Sequence, residues 1–151
     1  MNLQDALPRL LPKAIAWAEE QARLVASSGR ALTHREQEVA RGVGVAQPER
    51  IRVALVDALP LPEDPVLRAA ALEAGLLGPG MVGLTLGYSV FISKVHETLR
   101  LLSHEFRHVY QYEQAGSIAA LLPGYLQQVV QLGYANTAFE KDAQAHERAD
   151  V

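Results

Sequence analysis

The chain has 151 residues, of which 49% are hydrophobic, so it has the length and the apolar content for one domain with a single core. Its 14 basic and 17 acidic residues are scattered along the chain and give a formal net charge of -3, which favours neither nucleic acid nor a membrane surface as a partner. Because it contains no cysteine, a disulfide framework, a thiolate metal site and a cysteine nucleophile are excluded.

The sequence also carries no signal for export or for membrane insertion. The N-terminal segment lacks a basic start and an uninterrupted apolar stretch, and the longest apolar runs are far shorter than the ~20 residues that span a bilayer. We therefore expect a soluble, cytoplasmic protein that forms one domain over residues 1–151. Its predicted parts are a helical N-terminal region (1–45), strands with a short helix (50–95) and C-terminal helices (96–151).

Two helices are predicted in the N-terminal region. Apolar residues at three- and four-residue steps over 7–26 are typical of an amphipathic helix. Thr33 lies three residues before Glu36, which is the spacing of a capping box and predicts a second helix that runs to about Arg41.

The middle of the chain predicts strands. The run 50–56 is rich in β-branched residues and is followed by prolines, which favours a strand that leads into a loop. Asp64 is a predicted N-cap for a short helix through Ala74. Residues 82–95 alternate between apolar and polar side chains, which predicts either one strand or a hairpin that turns near Gly87.

The rest of the chain is predicted to be helical. The predicted helices are one over 96–115, one from Ser117 or Pro123 to about Leu132, and one from Ala138 to the C-terminus.

The helix over 96–115 carries the main chemical signal, which is His104, Glu105 and His108. Positions i and i+4 of a helix share one face, so both imidazoles can bind one metal ion while Glu105 lies beside it. In a chain without thiolates, imidazole and carboxylate ligands indicate zinc, and a catalytic zinc site uses three protein ligands. Glu105 is then the candidate general base and acid.

The third ligand must come from another segment. A metzincin requires Gly and His at fixed positions after His108, and the sequence lacks them. Glu140 is the preferred ligand because it lies in a separate helix that can run beside the first. His146 is its rival, and Asp142 is a candidate for orienting an imidazole. The alternative role of Glu140 is helix capping, since Thr137 lies three residues earlier.

The motif at 104–108, followed by the segment 136–143, resembles the gluzincin metallopeptidases, and the short chain resembles their compact minigluzincin type. The resemblance covers about 83–147, and the residue four after Glu140 is Gln144, where the best-known members carry aspartate. It implies an α+β, zincin-like fold with a small β-sheet packed on the active-site helix and on a C-terminal helix that bears the glutamate. The N-terminal helices have no counterpart.

The resemblance further implies that His104, His108 and Glu140 bind zinc and that Glu105 acts on water to hydrolyse a peptide or protein substrate. The substrate would lie extended along the strand region 83–95. Tyr134 is the preferred donor to the oxyanion, because it lies in a glycine-containing loop before the ligand helix. The other candidate donors are Tyr88, Arg107, Tyr110 and Tyr112.

Two other functions remain open from the sequence. One is a non-catalytic or latent zinc-binding module that keeps the zincin fold and acts in protein–protein interaction. The other is a structural helical protein in which the motif is accidental.

Overall fold

In the computed structural model, the described residues 2–149 form an α+β fold with six α-helices and a mixed four-stranded sheet. The elements are α1 Leu3–Ser28, β1 Arg30–Ala31, α2 His34–Gly42, β2 Arg52–Val56, α3 Pro65–Glu73, β3 Gly83–Leu86, β4 Ser89–Ser93, α4 Leu99–Ala115, α5 Ile118–Leu132 and α6 Ala138–Ala145. Short 3₁₀ turns lie at Pro48–Arg50, Lys94–His96 and Tyr134–Asn136. Met1 and residues 150–151, which the predicted domain 1–151 includes, lie outside the described residues.

The sheet has the strand order β1-β2-β4-β3, with β2 and β4 parallel and the other two pairs antiparallel. β3 and β4 form a hairpin in which Leu86 pairs with Ser89, so the turn has two residues. The first of these, Gly87, has φ = 68°, a left-handed conformation that glycine adopts without steric cost. The hairpin form of the prediction is therefore confirmed, and β3 lies at an edge of the sheet.

Helices cover both faces of this sheet. On one face α2 and α4 pack against the strands, with Val90, Ile92 and the fully buried Phe106 at the centre of the core. On the other face α1 and α5 pack against Leu86 and Phe91. The strands thus present apolar side chains on both sides, as a sheet between two helical layers requires.

Local capping signals account for most helix starts. Asn2 caps α1, which begins several residues earlier than its apolar pattern alone predicts. Thr33 forms the predicted capping box for α2. Asp64 accepts hydrogen bonds from two backbone N–H groups at the start of α3. Ser117 caps α5, so of the two predicted starts the earlier one is correct, and Pro123 lies inside the helix.

Two helix boundaries differ from the sequence prediction. α4 begins at Leu99 rather than at residue 96, because the side chain of Thr98 caps it and the preceding residues form a 3₁₀ turn. α6 ends at Ala145 and does not continue to the C-terminus. The chain leaves the helix after His146, and Arg148 donates its backbone N–H to Oγ of Ser103 on α4. A tertiary hydrogen bond thus replaces a helical one.

Among residues 2–149, no helix combines the length and the apolarity that crossing a bilayer requires.

Candidate metal centre

The packing of α6 against α4 assembles the site. Ala143 on α6 has no exposed surface, so the helices approach closely at a small side chain, as predicted. His104 and His108 lie one turn apart on α4, and Glu140 lies in the first turn of α6. One ligand atom from each of these residues lies within 4.8 Å of the other two. This group could hold a metal ion.

The Glu140 carboxylate lies between the two imidazoles. Its Oε1 is 2.7 Å from Nε2 of His104, and its Oε2 is 2.9 Å from Nε2 of His108. The hydroxyl of Thr137 accepts the backbone N–H of Glu140 at 3.1 Å and so caps α6. Because Thr137 provides the cap, the carboxylate of Glu140 is left to contact the imidazoles.

The other nitrogen of each imidazole is held by a separate group. Nδ1 of His104 lies 2.8 Å from Oε2 of Glu147, and Nδ1 of His108 lies 2.7 Å from Oε1 of Gln111. Hydrogen bonds of this kind fix the ring orientation and direct the Nε2 lone pair towards a metal. Both Nε2 atoms therefore face Glu140 with their orientation already set.

Asp142 acts on this arrangement through Gln111. The Gln111 amide donates to Oδ2 of Asp142 at 3.0 Å and to the carbonyl of Phe139 at 2.9 Å, which fixes its oxygen towards His108. Asp142 also forms an ion pair with Arg107 at 2.8 Å. The predicted orienting role of Asp142 is thus indirect, with Gln111 between the carboxylate and the ring.

The contacts of Glu147 and Gln111 with the two imidazoles were not predicted from the sequence. Gln111 lies three residues after His108 on the same helix, which is a spacing that brings side chains together. Glu147 lies seven residues after Glu140, a spacing of two helical turns, although the helix has ended before it. These spacings were the available signals, but neither specifies which carboxylate or amide meets which ring.

Charges within the group shift the pKa values of its members in opposite directions. Burial lowers the pKa of His104, but the hydrogen bond to Glu140 and the negative charges of Glu105 and Glu140 outweigh it and raise this pKa to about 9. Burial raises the pKa of Glu140, but its hydrogen bonds to His104 and His108 outweigh burial and lower the pKa to about 2. The metal-free group therefore holds imidazolium next to carboxylate.

Glu105 is buried between α4 and the edge strand β3. Only 3% of it is exposed, and the hydroxyl of Thr85 donates to its Oε1 at 2.7 Å. Burial raises the pKa of Glu105, against the charges of His108 and His104 and the hydrogen bond from Thr85. A Cβ at Gly83 would lie 2.7 Å from Oε2 of Glu105, so glycine is needed for the strand to approach this carboxylate. These contacts of Thr85 and Gly83 with Glu105 were not predicted from the sequence.

Tyr134, the preferred candidate donor, lies beside Glu140. Its hydroxyl donates to Oε1 of Glu140 at 3.1 Å, and burial is the main reason that its pKa is raised. Three of the other candidate donors contact different groups: the hydroxyl of Tyr88 bonds to Glu113, and the Arg107 guanidinium pairs with Asp142 and stacks on Tyr110. The fourth, Tyr112, is buried on α4.

The rival ligand His146 is not part of the group. Its Nδ1 lies 2.8 Å from the backbone carbonyl of Asp142, within the last turn of α6. The carboxylate of Glu140, and not this imidazole, faces the two histidines of α4.

The donor set fits a small divalent cation of the zinc type. Zinc is bound at ~2.0–2.2 Å from imidazole nitrogen and carboxylate oxygen, so its ligand atoms lie about 3.4 Å apart in a tetrahedron. The nitrogen–oxygen contacts here are 2.7 and 2.9 Å, so the side chains need to separate by less than about 1 Å. Binding also requires each Nε2 to lose any proton it shares with Glu140.

A cavity connects the group to the edge strand. His108, Glu140, Glu105 and Tyr134 all line it, together with the whole of β3. His108 and Glu140 of the ligand group, the buried carboxylate of Glu105 and the edge of the sheet thus border one cavity.

Comparison of the chain with protein-family models, with curated proteins and with solved structures gives no match.

Proposed function

We propose that the protein is a zinc-dependent metallopeptidase with a zincin-like fold of the gluzincin type, in which His104, His108 and Glu140 bind zinc. The observation that carries the proposal is that two members of this ligand group, His108 and Glu140, line one cavity with the carboxylate of Glu105. Two imidazoles, one ligating carboxylate and a separate carboxylate for proton transfer are the groups that such hydrolysis requires.

When bound, zinc supplies Lewis acidity, which polarises a carbonyl group and lowers the pKa of water. Glu105 accepts the proton of the attacking water and returns it to the leaving amine. Thr85 orients the carboxylate for both transfers through its hydrogen bond to Oε1. The hydroxyl of Tyr134 lies beside the proposed ligand Glu140. From this position it donates to the oxygen of the reacting carbonyl group.

An extended peptide can be held by the edge of β3. The N–H of Ser93 bonds to the carbonyl of Val82 at 2.9 Å, and alternation along an antiparallel pair then gives Leu84 and Leu86 the ladder bonds with β4. The backbone N–H and C=O groups of Gly83 and Thr85 point the other way, where the cavity lies. They can pair with a peptide directly beside Glu105.

The first test is metal content and hydrolysis together. Protein purified without added metal should contain about one equivalent of zinc, and it should cleave members of a fluorogenic peptide library. The variant Glu105→Gln should keep the zinc and lose at least about a hundredfold in cleavage rate, because only the proton acceptor has changed. Glu113→Gln changes a carboxylate on the same helix outside the site and should cleave at the wild-type rate.

The outcomes separate the competing functions. A zinc-loaded protein that cleaves no peptide favours a non-catalytic or latent binding module. Protein that neither contains nor binds a metal overturns both functions and leaves the motif as a helix-packing feature. One equivalent of iron would overturn the assignment to zinc, since two histidines and one carboxylate also suit non-haem iron.

A further inference from the structure

The cavity at the metal centre extends well beyond the groups that the proposed chemistry uses. It continues between α1, α3 and α5, where its walls are aliphatic and aromatic side chains. Among the described residues that line it, the charged side chains are confined to the ligand group and Glu105. Away from the metal centre the cavity therefore offers no partner for a charge, and a charged group placed there would lose its hydration without compensation.

The size of the cavity limits what it can hold. Its volume is about 140 Å³. An apolar cavity of roughly 150 Å³ holds one benzene molecule, which is about the size of one large side chain. A folded segment or a long hydrocarbon chain would need more space.

The position of the cavity beside β3 also favours a side chain over a length of backbone. A peptide paired with Gly83 and Thr85 keeps its own N–H and C=O groups satisfied at the strand edge. A backbone that entered the apolar part between α1 and α3 would leave those groups without partners. Successive side chains of a strand alternate in direction, so one can enter the cavity while the backbone stays on β3.

We propose that this apolar cavity is the specificity pocket of the site and that it takes one large apolar side chain, such as Phe or Leu, of an extended peptide. The assignment of that peptide as a substrate rests on the proposed peptidase function. The binding preference itself does not require cleavage.

Trp17 provides a direct readout of the pocket. It is the only tryptophan of the chain, and it lines the cavity. A side chain that enters the pocket will therefore change the protein's tryptophan fluorescence, whether or not the peptide is cleaved.

The experiment titrates zinc-loaded Glu105→Gln protein with capped pentapeptides that have four alanines and one variable central residue. Peptides with Phe or Leu should bind about ten- to a hundredfold more tightly than the all-alanine peptide, because they bury one large apolar side chain. Peptides with Lys or Asp should bind no better than the all-alanine peptide.

Variants of residues that line the cavity test whether the peptide side chain binds there. Ala71 lines the cavity on α3, and Ala71→Phe should fill it and remove the preference for Phe and Leu. Ala69→Phe places the same side chain on the exposed side of the same helix and should keep the preference. Ala14→Leu, from α1, fills the cavity with a smaller change and serves as a second variant.

Equal binding of all the peptides, or a preference that survives in both Ala71→Phe and Ala14→Leu, overturns the proposal. If dodecanoate binds more tightly than the Phe peptide, the cavity takes a hydrocarbon chain rather than one side chain. That result also overturns the proposal. If wild-type protein cleaves peptides without any such preference, the pocket proposal fails and the peptidase proposal stands. If the protein binds peptides selectively but cleaves none, the pocket proposal stands and the peptidase proposal fails.

Discussion

Glu147 lies 2.8 Å from Nδ1 of His104, although the two residues are 43 positions apart in the chain. The contact depends on the segment that follows α6. The backbone N–H of Arg148 bonds to Oγ of Ser103 at 2.8 Å, and its guanidinium donates to the carbonyl of Gly42 at 2.9 Å. The segment is thus tied to α4 and α2 on either side, and Glu147 is held against the imidazole.

Removal of this carboxylate should weaken metal binding without removing a ligand. We expect Glu147→Ala to lower zinc affinity about 10- to 100-fold, since His104 loses the group that orients its ring. Arg148→Ala should give a smaller decrease. Glu20→Ala, an exposed carboxylate on α1, should have no effect. Competition with a chromophoric chelator measures the affinities, and an unchanged value for Glu147→Ala would show that the hydrogen bond is incidental.

Metal binding should release protons. In the metal-free protein the pKa of His104 is raised to about 9, so at pH 7.5 this ring is protonated on both nitrogens, and the hydrogen bond to Glu140 and the nearby carboxylates also raise the pKa of His108. A metal takes the place of the Nε2 proton of His104, so the apparent affinity should rise with pH up to about 9 and fall about tenfold for each unit below it through this proton alone.

Calorimetry in two buffers with different ionisation enthalpies at pH 7.5 counts these protons. The expected number is between one and two. A value near zero would contradict the raised pKa values and would indicate that the rings are neutral before the metal binds.

The contact between Gly83 and Glu105 predicts a loss of activity without a loss of fold. Alanine at Gly83 would bring its Cβ to 2.7 Å from the Glu105 carboxylate, which would have to leave Thr85. We expect Gly83→Ala to reduce peptide cleavage at least about tenfold, through misplacement of the proton acceptor, while zinc content is unchanged. Gly80→Ala is the matched control, since its Cβ meets no atom within 4 Å.

The cap of α6 links stability to the metal site. Thr137→Ala removes the hydroxyl that accepts the N–H of Glu140, at a cost of about 1 kcal/mol in stability, and it should also weaken zinc binding because Glu140 loses its fixed position. Ser117→Ala removes an equivalent cap from α5 at a similar cost. It should leave zinc binding unchanged. Thermal unfolding and zinc titration of both variants check this. Equal zinc affinities of the two variants would show that the cap of α6 does not affect the metal site.

The features that were predicted correctly from the sequence are those that depend on interactions between residues close together in the chain. The capping box of Thr33 and Glu36 and the cap at Asp64 were visible because they involve residues three or fewer positions apart. The early start of α1 was missed because the predicted apolar repeat begins at Leu7, whereas the side chain of Asn2 caps the helix one residue before Leu3. The end of α6 was missed because a hydrogen bond from Arg148 to α4 competes with continued helix.

The same division applies to the site. By itself the sequence determined that His104 and His108 share a helix face, that Glu105 is next to them and that no thiolate competes, because these properties depend on helical spacing and composition. Only the tertiary structure decided which distant groups meet them. The packing of α6 and β3 against α4 brings Glu140 between the imidazoles, Glu147 to Nδ1 of His104 and Thr85 to Glu105. Such contacts depend on how whole elements pack, and no local pattern encodes that arrangement.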